Sequence, residues 1–351
     1  MPHFSSARFG APARRTFRAA FTSWDSGRRL KMEGVAPSTP GHGCRCREHL
    51  SNAEESSYYI TMSMDRRTML SGTAASAAVI ALGTSNATAK VDDSPPSIID
   101  TNVSLFQWPF RRLPADEPSA LVAQLKLFGI RKAWAGSYEA LLHRDVAGVN
   151  ERLTDACRSY GEGRLVPIGT VNPSLPDWAE DLRRCHEAHR MAGIRVYPNY
   201  HDYDLSSPVF ARLLKLTAQR GLFVQLAVAM EDVRTQHPLV QVKDVELRPL
   251  ADLVSGIPGV RVQLLNHRPR TAELLTLAKV DGIHFDISRV DDTSGVSRIV
   301  RALPRGRVMF GSHAPFLIQQ AALIRSGETD LNEGEQADLF SRNAAAFIRN
   351  V

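Results

Sequence analysis

Gly193-Ile-Arg-Val-Tyr-Pro198, a helical stretch near Ser207–Arg220, and Leu222-Phe-Val-Gln-Leu-Ala-Val228 follow one another along the chain. Each short run is apolar on nearly successive residues, so both faces of the strand it forms must be covered. That is the signature of a parallel sheet wrapped in helices. The same unit recurs on either side. Upstream come Ile98–Asn102 with a helix near Ser119–Phe128, Arg131–Ala135 with a helix around Asp145–Tyr160, and Leu165–Val171 with a helix around Pro176–His189. Downstream, a longer loop and a helix over Leu247–Ser255 lead to Val260–Leu265, Gly282–Ile287 and Arg307–Gly311. Their helices fall near Thr271–Ala278, Val296–Ala302 and Phe316–Arg325, and a last helix spans Glu333–Ile348. Eight strand–helix units within one stretch fit a closed α/β barrel of the (β/α)8 type better than an open sheet. No G-x-G-x-x-G or P-loop opens the first unit, which removes the usual reason to prefer a nucleotide-binding fold. Residues 97–351 therefore read as one barrel domain.

Ahead of the barrel the composition changes. Residues 1–61 are rich in Arg, Ser, Gly and Pro with no sustained apolar period, and they predict a disordered or mis-assigned extension. Within 62–90, Arg66-Arg67-Thr-Met-Leu70 precedes a weakly hydrophobic run over Ser71–Leu82, and Ala87-Thr-Ala89 offers small residues for cleavage. That order predicts an export signal of the twin-arginine type, and hence a periplasmic or other extracytoplasmic location. The run is too short for a stable membrane anchor. Its depth in the chain predicts a start of translation at Met62 or Met64. The formal net charge of +6 resides in these leading segments, because residues 91–351 carry 31 basic and 31 acidic residues. A nucleic-acid partner would need a basic face on the folded part, so that class is excluded. Cys44 and Cys46 lack a zinc-site framework; Cys157 and Cys185 fall in helices and read as buried thiols, or as a disulfide should those helices be neighbours.

In such a barrel the chemistry gathers at the C-terminal ends of the strands. Those ends here carry Asp100, Asn102 and Ser104, the loop Phe106-Gln-Trp108-Pro-Phe110-Arg111, and Arg195, Tyr197, Asn199, Tyr200 and His201. They continue with Glu231, Arg234 and His237, then Asn266-His267, Asp286, and Gly311-Ser-His313-Ala-Pro315-Phe316. So many polar groups on one rim predict a site for a small-molecule substrate.

Four features in this order, Ile98-Ile-Asp-Thr-Asn-Val-Ser104, Trp108-Pro-Phe-Arg111, Gly193-Ile-Arg-Val-Tyr-Pro198 and Arg307-Val-Met-Phe-Gly-Ser-His-Ala-Pro-Phe316, resemble the amidohydrolase-related metal-dependent hydrolases. The resemblance spans nearly all of residues 97–351 and implies a TIM barrel. It implies zinc or manganese as the default cofactor, held by an opening I-D-x-H-x-H, by histidines on later strands and by a closing G-T-D. This chain has Asn102 and Ser104 at the opening histidine positions, Asn266 on the sixth strand and His313 at the closing Asp position. Asn and Ser are poor ligands for such ions. The expectation is a hydrolase of a small carboxylated ester, lactone or amide that works without a catalytic metal, no other cofactor being implied. The competing readings are a decarboxylase-type lyase and a non-catalytic ligand-binding barrel, and self-association into a homo-oligomer is left open.

His313, Arg195 and His237 are the candidate catalytic group. An imidazole titrates near neutrality and can take and return a proton. The guanidinium of Arg195 either holds a substrate carboxylate or oxyanion, or forms an ion pair inside the barrel. His237, with Glu231 and Arg234, belongs to a loop that is either a lid or a solvated turn. Tyr197 and His201 either orient substrate or order their own loop. Asn102 and Asn266 supply neutral hydrogen bonds where ligands stood, Asp286 pairs with Arg195 or His313, and Trp108 caps an apolar substrate or packs the barrel top.

Overall fold

The computed structural model describes residues 97–268 and 270–349. The expected extension (1–61) and export signal (62–90) lie outside these residues. Eight parallel strands alternate with eight helices: β1 (Ile98–Leu105), α1 (Pro118–Leu127), β2 (Ile130–Ser137), α2 (Val146–Tyr160) and β3 (Leu165–Pro167, resumed after Ile168 by Gly169–Thr170). They continue with α3 (Trp178–Glu187), β4 (Gly193–Val196), α4 (Pro208–Gln219), β5 (Phe223–Ala227), α5 (Leu250–Ser255) and β6 (Val262–Leu265). The last units are α6 (Thr271–Ala278), β7 (Ile283–Asp286), α7 (Gly295–Ala302), β8 (Val308–Met309) and α8 (Gln319–Gly327).

Each strand pairs with its neighbour in sequence, β1 to β3 in one ladder and the resumed β3 to β8 in the next. The break at Ile168 is spanned by its N–H, which donates to the Ala135 carbonyl at 2.8 Å. The ends meet as well. Thr101 N–H donates to Phe310 O and Ser104 N–H to Ala314 O, both at 2.9 Å, and Val103 bridges Ala314 in parallel. These bonds join the first strand to the continuation of the last and close the (β/α)8 barrel.

Strand alternation sorts the side chains. Val224 and Leu226 of β5 face outward into the main core against the helices, as do Ile194, Val196, Val262 and Leu264. Inward, Trp134, Ile168, Phe223 and Met309 form a plug at the N-terminal end of the barrel. The chain's last helix completes that plug. The expected single helix over Glu333–Ile348 is three pieces: α9 (Glu333–Ala337), a π turn (Asp338–Arg342) and α10 (Asn343–Arg349). In the π turn the Asn343 N–H bonds Asp338 O, which frees Leu339 O to accept from the strand amide Phe310 N at 2.9 Å. The extra residue also rotates Phe347 into the plug, 5.0 Å from the Phe223 ring and 6.0 Å from Trp134.

Other differences from the sequence reading are local. The first strand runs on to Leu105 because Ala314 offers it a partner, and α8 begins at Gln319 because the chain first crosses the barrel mouth. Cys157 and Cys185 are buried free thiols, each pushed up to about 12 by burial, so they are inert at neutral pH. No helix among the described residues is long and apolar enough to cross a membrane. Removing the plug should be costly: Phe347→Ala is expected to lower unfolding stability by about 3–5 kcal/mol in urea titrations, and a loss under 1 kcal/mol would show that the last helix does not seal the barrel.

Candidate active site

The barrel interior above the plug is polar. Arg195 on β4 is buried, and its Nε donates to Gln225 Oε1 at 2.9 Å. Its Nη1 donates to Val103 O and Ser104 Oγ, both at 3.0 Å. Gln225 in turn donates to Thr101 O and to Gln263 Oε1, and Gln263 donates to Thr101 Oγ1. Barrel interiors are usually filled by branched apolar side chains; here a chain of amides and a guanidinium ties β1, β4, β5 and β6 together. Gly136 makes room for it, since a Cβ there would stand 2.7 Å from Arg195 Nη1. Among the described residues no carboxylate bonds Arg195 or His313, so neither of the two pairings open to Asp286 forms. The donors of Arg195 are spent on the scaffold rather than presented to a substrate.

One layer higher, the ends of β1, β6 and β7 meet through Asn102. Its Nδ2 donates to Asn266 Oδ1 at 2.8 Å and to Asp286 Oδ2 at 2.7 Å. Asp286 also accepts from Asn266 N–H at 3.1 Å, and Ser288 Oγ lies within reach of both Asp286 Oδ1 and Asn266 Oδ1. Burial outweighs these bonds and pushes the Asp286 carboxyl up to about 6. Asn102 Oδ1 is buried without a partner among the described residues. Gly311 permits the close approach, because a Cβ there would sit 3.0 Å from Asp286 Oδ2 and 3.1 Å from Asn102 Cβ. Asp100 faces away from this cluster and accepts from Ser312 and from Gln319 of α8, locking β1 to the end of β8.

His313 is fully buried with a left-handed φ of 58°, and Asn266 has a φ of 57°. Both residues end strands, β6 and β8, on either side of β7, and Asn and His adopt this backbone more readily than most side chains. The Met230 carbonyl lies 2.9 Å from His313 Nε2, so Nε2 carries the proton and Nδ1 keeps a lone pair, buried and without a partner among the described residues. Burial first, then the Arg289 and Arg195 cations, lower its pKa to about 3. His313 is thus a neutral acceptor at pH 7, with the Phe316 ring stacked on it at 5.0 Å. His201 is similar in kind: Nε2 donates to Ala140 O at 2.9 Å and orders its own loop.

Aromatic side chains cover the mouth. Trp108 is buried with edge contacts to Phe110, Tyr138 and Phe316 at 5.0–5.9 Å, and its Nε1 donor has no partner among the described residues. Tyr197 packs in the same cluster. Two loops meet over it: Arg111 pairs with buried Glu231 while its guanidinium lies 5.0 Å over Phe316, and the exposed His237 ring stacks on Phe110 at 5.5 Å. Arg234 points to solvent and pairs with Asp232 at 3.0 Å. The structure therefore brings together Asn102, Asn266, Asp286, His313 and Trp108. It puts Glu231 and His237 in the cover, and leaves Arg195, Tyr197 and His201 in the scaffold. The sequence reading missed Ser288 and Arg111; the first lies two residues beyond Asp286, and the second was quoted without its partner Glu231.

Among the described residues no group of three or more His, Cys, Asp or Glu stands close enough to hold a metal ion. The donor chemistry agrees. A cation between these strand ends would need lone pairs, and the N–H protons of Asn102 fill that space, directed at the carboxylate that would have to ligate it. The residues present do not fit the metal that the fold family implies.

The sequence matches the amidohydrolase family over residues 112–349, and the chain belongs to that family. No curated protein matches it. Among solved structures it is similar to a 5-carboxyvanillate decarboxylase from Novosphingobium aromaticivorans complexed with manganese and 4-hydroxy-3-methoxy-5-nitrobenzoic acid, at 14% identity and a TM-score of 0.58, covering 72% of this chain and 96% of that one. It is similar to 2,6-dihydroxybenzoate decarboxylase from Rhizobium at 14% identity and a TM-score of 0.56, covering 71% and 99%. A probable 2-pyrone-4,6-dicarboxylic acid hydrolase from Acinetobacter baumannii gives 12%, 0.51, 72% and 99% in the same order. At these identities the likeness supports the barrel fold.

The buried imidazole sets an acid limit on stability. Its folded pKa lies below its unfolded value of 6.5, so its contribution is present above pH 6.5 and is lost as pH falls toward 3. By pH 5 the loss from this group is roughly 2 kcal/mol. Urea titrations from pH 7 to 5 should show a smaller decline for His313→Gln than for the parent chain, and parallel curves would refute the neutral buried imidazole.

Proposed function

We propose that this chain is a hydrolase of a small carboxylated ester, lactone or amide, working at the barrel mouth without a resident metal, with Asp286 as the proton-transfer group. The observation that carries the reading is the contact of Asn102 Nδ2 with Asp286 Oδ2 at 2.7 Å. It fixes the carboxyl at a strand end on the rim that also carries two buried acceptors without partners among the described residues, Asn102 Oδ1 and His313 Nδ1. A carboxyl held near 6 is mostly ionised at neutral pH yet still basic enough to work, which suits general base catalysis.

In this reading Asp286 takes a proton from water as the water oxygen bonds the substrate carbonyl carbon. The carboxyl then returns that proton to the leaving alkoxide or amine as the carbon–oxygen or carbon–nitrogen bond breaks. His313, neutral and fixed by Met230, accepts a hydrogen bond from the water or a substrate hydroxyl. Trp108 Nε1 offers the mouth an N–H donor for the developing oxyanion. Entry requires the two loops joined by Arg111–Glu231 and Phe110–His237 to part, as lids do. The proton-transfer role thus passes from His313, too weak a base at a pKa of about 3, to Asp286.

The decarboxylase reading shares this site, since a protonated Asp286 could deliver a proton to carbon, and two of the similar structures are of decarboxylases. The test is a panel of lactones, esters, amides and aromatic carboxylates, with acid product and CO2 measured together. Hydrolysis is expected, with kcat/KM rising through a midpoint near pH 6 and kcat falling about 10²–10⁴-fold in Asp286→Asn. Stoichiometric CO2 without hydrolysis would replace the hydrolase by the lyase. Ligand-induced stabilisation with no turnover of any member would leave a binding barrel.

A further inference from the structure

A cleft of about 630 Å³ opens between α6 and α7 and borders the barrel mouth, since Arg268 on its wall pairs with Asp232 of the covering loop and the Arg289 cation acts on His313. The cleft has the size of a small-molecule site. The wall is apolar where Leu274, Val290 and Ile299 meet, and the rest is charged. Most of that charge cancels within the protein. Arg268 pairs with Asp232 at 3.0 Å, Arg298 with Asp292, and Asp291 with Arg325 at 2.9 Å.

Two cations are left over. Arg289, in the segment after β7, is only 7% exposed, lines the cleft, and has no hydrogen-bond or ion-pair partner among the described residues. Arg270, at the start of α6, also lines the cleft, is exposed and likewise has no carboxylate within hydrogen-bond distance among them. A guanidinium more than nine-tenths buried whose donors bond no oxygen is costly unless a partner is supplied from outside. Burial and then the neighbouring Arg268 charge act against the Arg289 cation, while the carboxylates of Asp244, Asp291 and Asp232 favour it through space without bonding it. Its fork of donors matches the oxygens of a carboxylate or phosphate.

We infer that the α6–α7 cleft, beside the barrel mouth, is an anion-binding site in which Arg289 and Arg270 hold the oxyanion of a ligand whose small apolar body lies on Leu274, Val290 and Ile299. The ligand class is an aromatic or short aliphatic carboxylate or phosphate monoester. Arg289 provides the buried contact and Arg270 closes over it from the rim.

Isothermal titration of the purified chain with phenyl phosphate, benzoate, inorganic phosphate and benzyl alcohol tests this. Phenyl phosphate or benzoate should bind saturably with one equivalent, and the tighter of the two fixes the anion as phosphate or carboxylate. Inorganic phosphate should bind at least tenfold more weakly and benzyl alcohol not at all. Arg289→Met should weaken the organic anion at least tenfold and Arg270→Met severalfold; the exposed Arg270 keeps the test valid should Arg289→Met fail to fold. The inference is overturned by no saturable binding of either organic anion, or by affinity unchanged in Arg270→Met. Binding that survives both substitutions but is lost in Asp286→Asn would move the anion to the mouth, and would equally overturn it. Because the readout is binding, it is independent of whether the mouth hydrolyses anything.

Discussion

Asn102 Nδ2 has two protons, and both are committed to groups from other strands, one to Asn266 Oδ1 and one to Asp286 Oδ2. That single amide binds the rims of β1, β6 and β7 into one unit. Its consequences spread outward. Asp286 is held where burial raises its pKa, Gly311 must lack a side chain to let the pair approach, and Asn266 takes a left-handed backbone to reach both partners. A network of this kind, with nearly every group satisfied, gives a rigid and specific site. The two atoms it leaves bare, Asn102 Oδ1 and His313 Nδ1, are acceptors, which is the polarity that a water or a substrate hydroxyl would meet.

Below that unit the barrel is filled by a second network instead of packed hydrocarbon. Arg195 is the centre of it, its charge spread over a glutamine, a serine and backbone carbonyls rather than opposed by a carboxylate. The two layers share β1, through Thr101 and Asn102, so a disturbance of one should be felt by the other. The covering loops are fastened differently, by the half-exposed Arg111 on buried Glu231 and by the exposed His237 ring on Phe110. Interactions of that sort open more readily than a buried network. The molecule thus combines a fixed rim with a separable cover, the arrangement a barrel enzyme requires.

The fold could be read from the sequence because apolar runs and helical stretches alternate with a period that physics ties to covered parallel strands. Even the strand-end positions of Asn102, Asn266, Asp286 and His313 followed from it. What could not be read was which way each polar group spends its bonds. Arg195 looks like a substrate anchor until Gln225 and the Val103 carbonyl are seen in its way. His313 looks like a base until burial and the Met230 carbonyl fix it neutral. Asp286 drew attention only as a partner for others, since its raised pKa arises from burial that no local pattern announces. Arg289 went unnoticed because an arginine after a strand is ordinary; only the pairing of its neighbours singles it out. The π turn at Asp338–Arg342 was hidden for the same reason, its cause being the amide of Phe310 far away in sequence.

The central claim is that hydrogen bonds from Asn102 occupy the place where the fold family puts a metal. The most direct test follows the side-chain amide signals of Asn102 by NMR while Mn²⁺ is added to metal-free protein. The account predicts two distinct amide protons, both bonded, with no selective broadening at one equivalent of the ion. Selective loss of those signals at one equivalent, abolished by Asp286→Ala, would show that the rim binds metal and would contradict it.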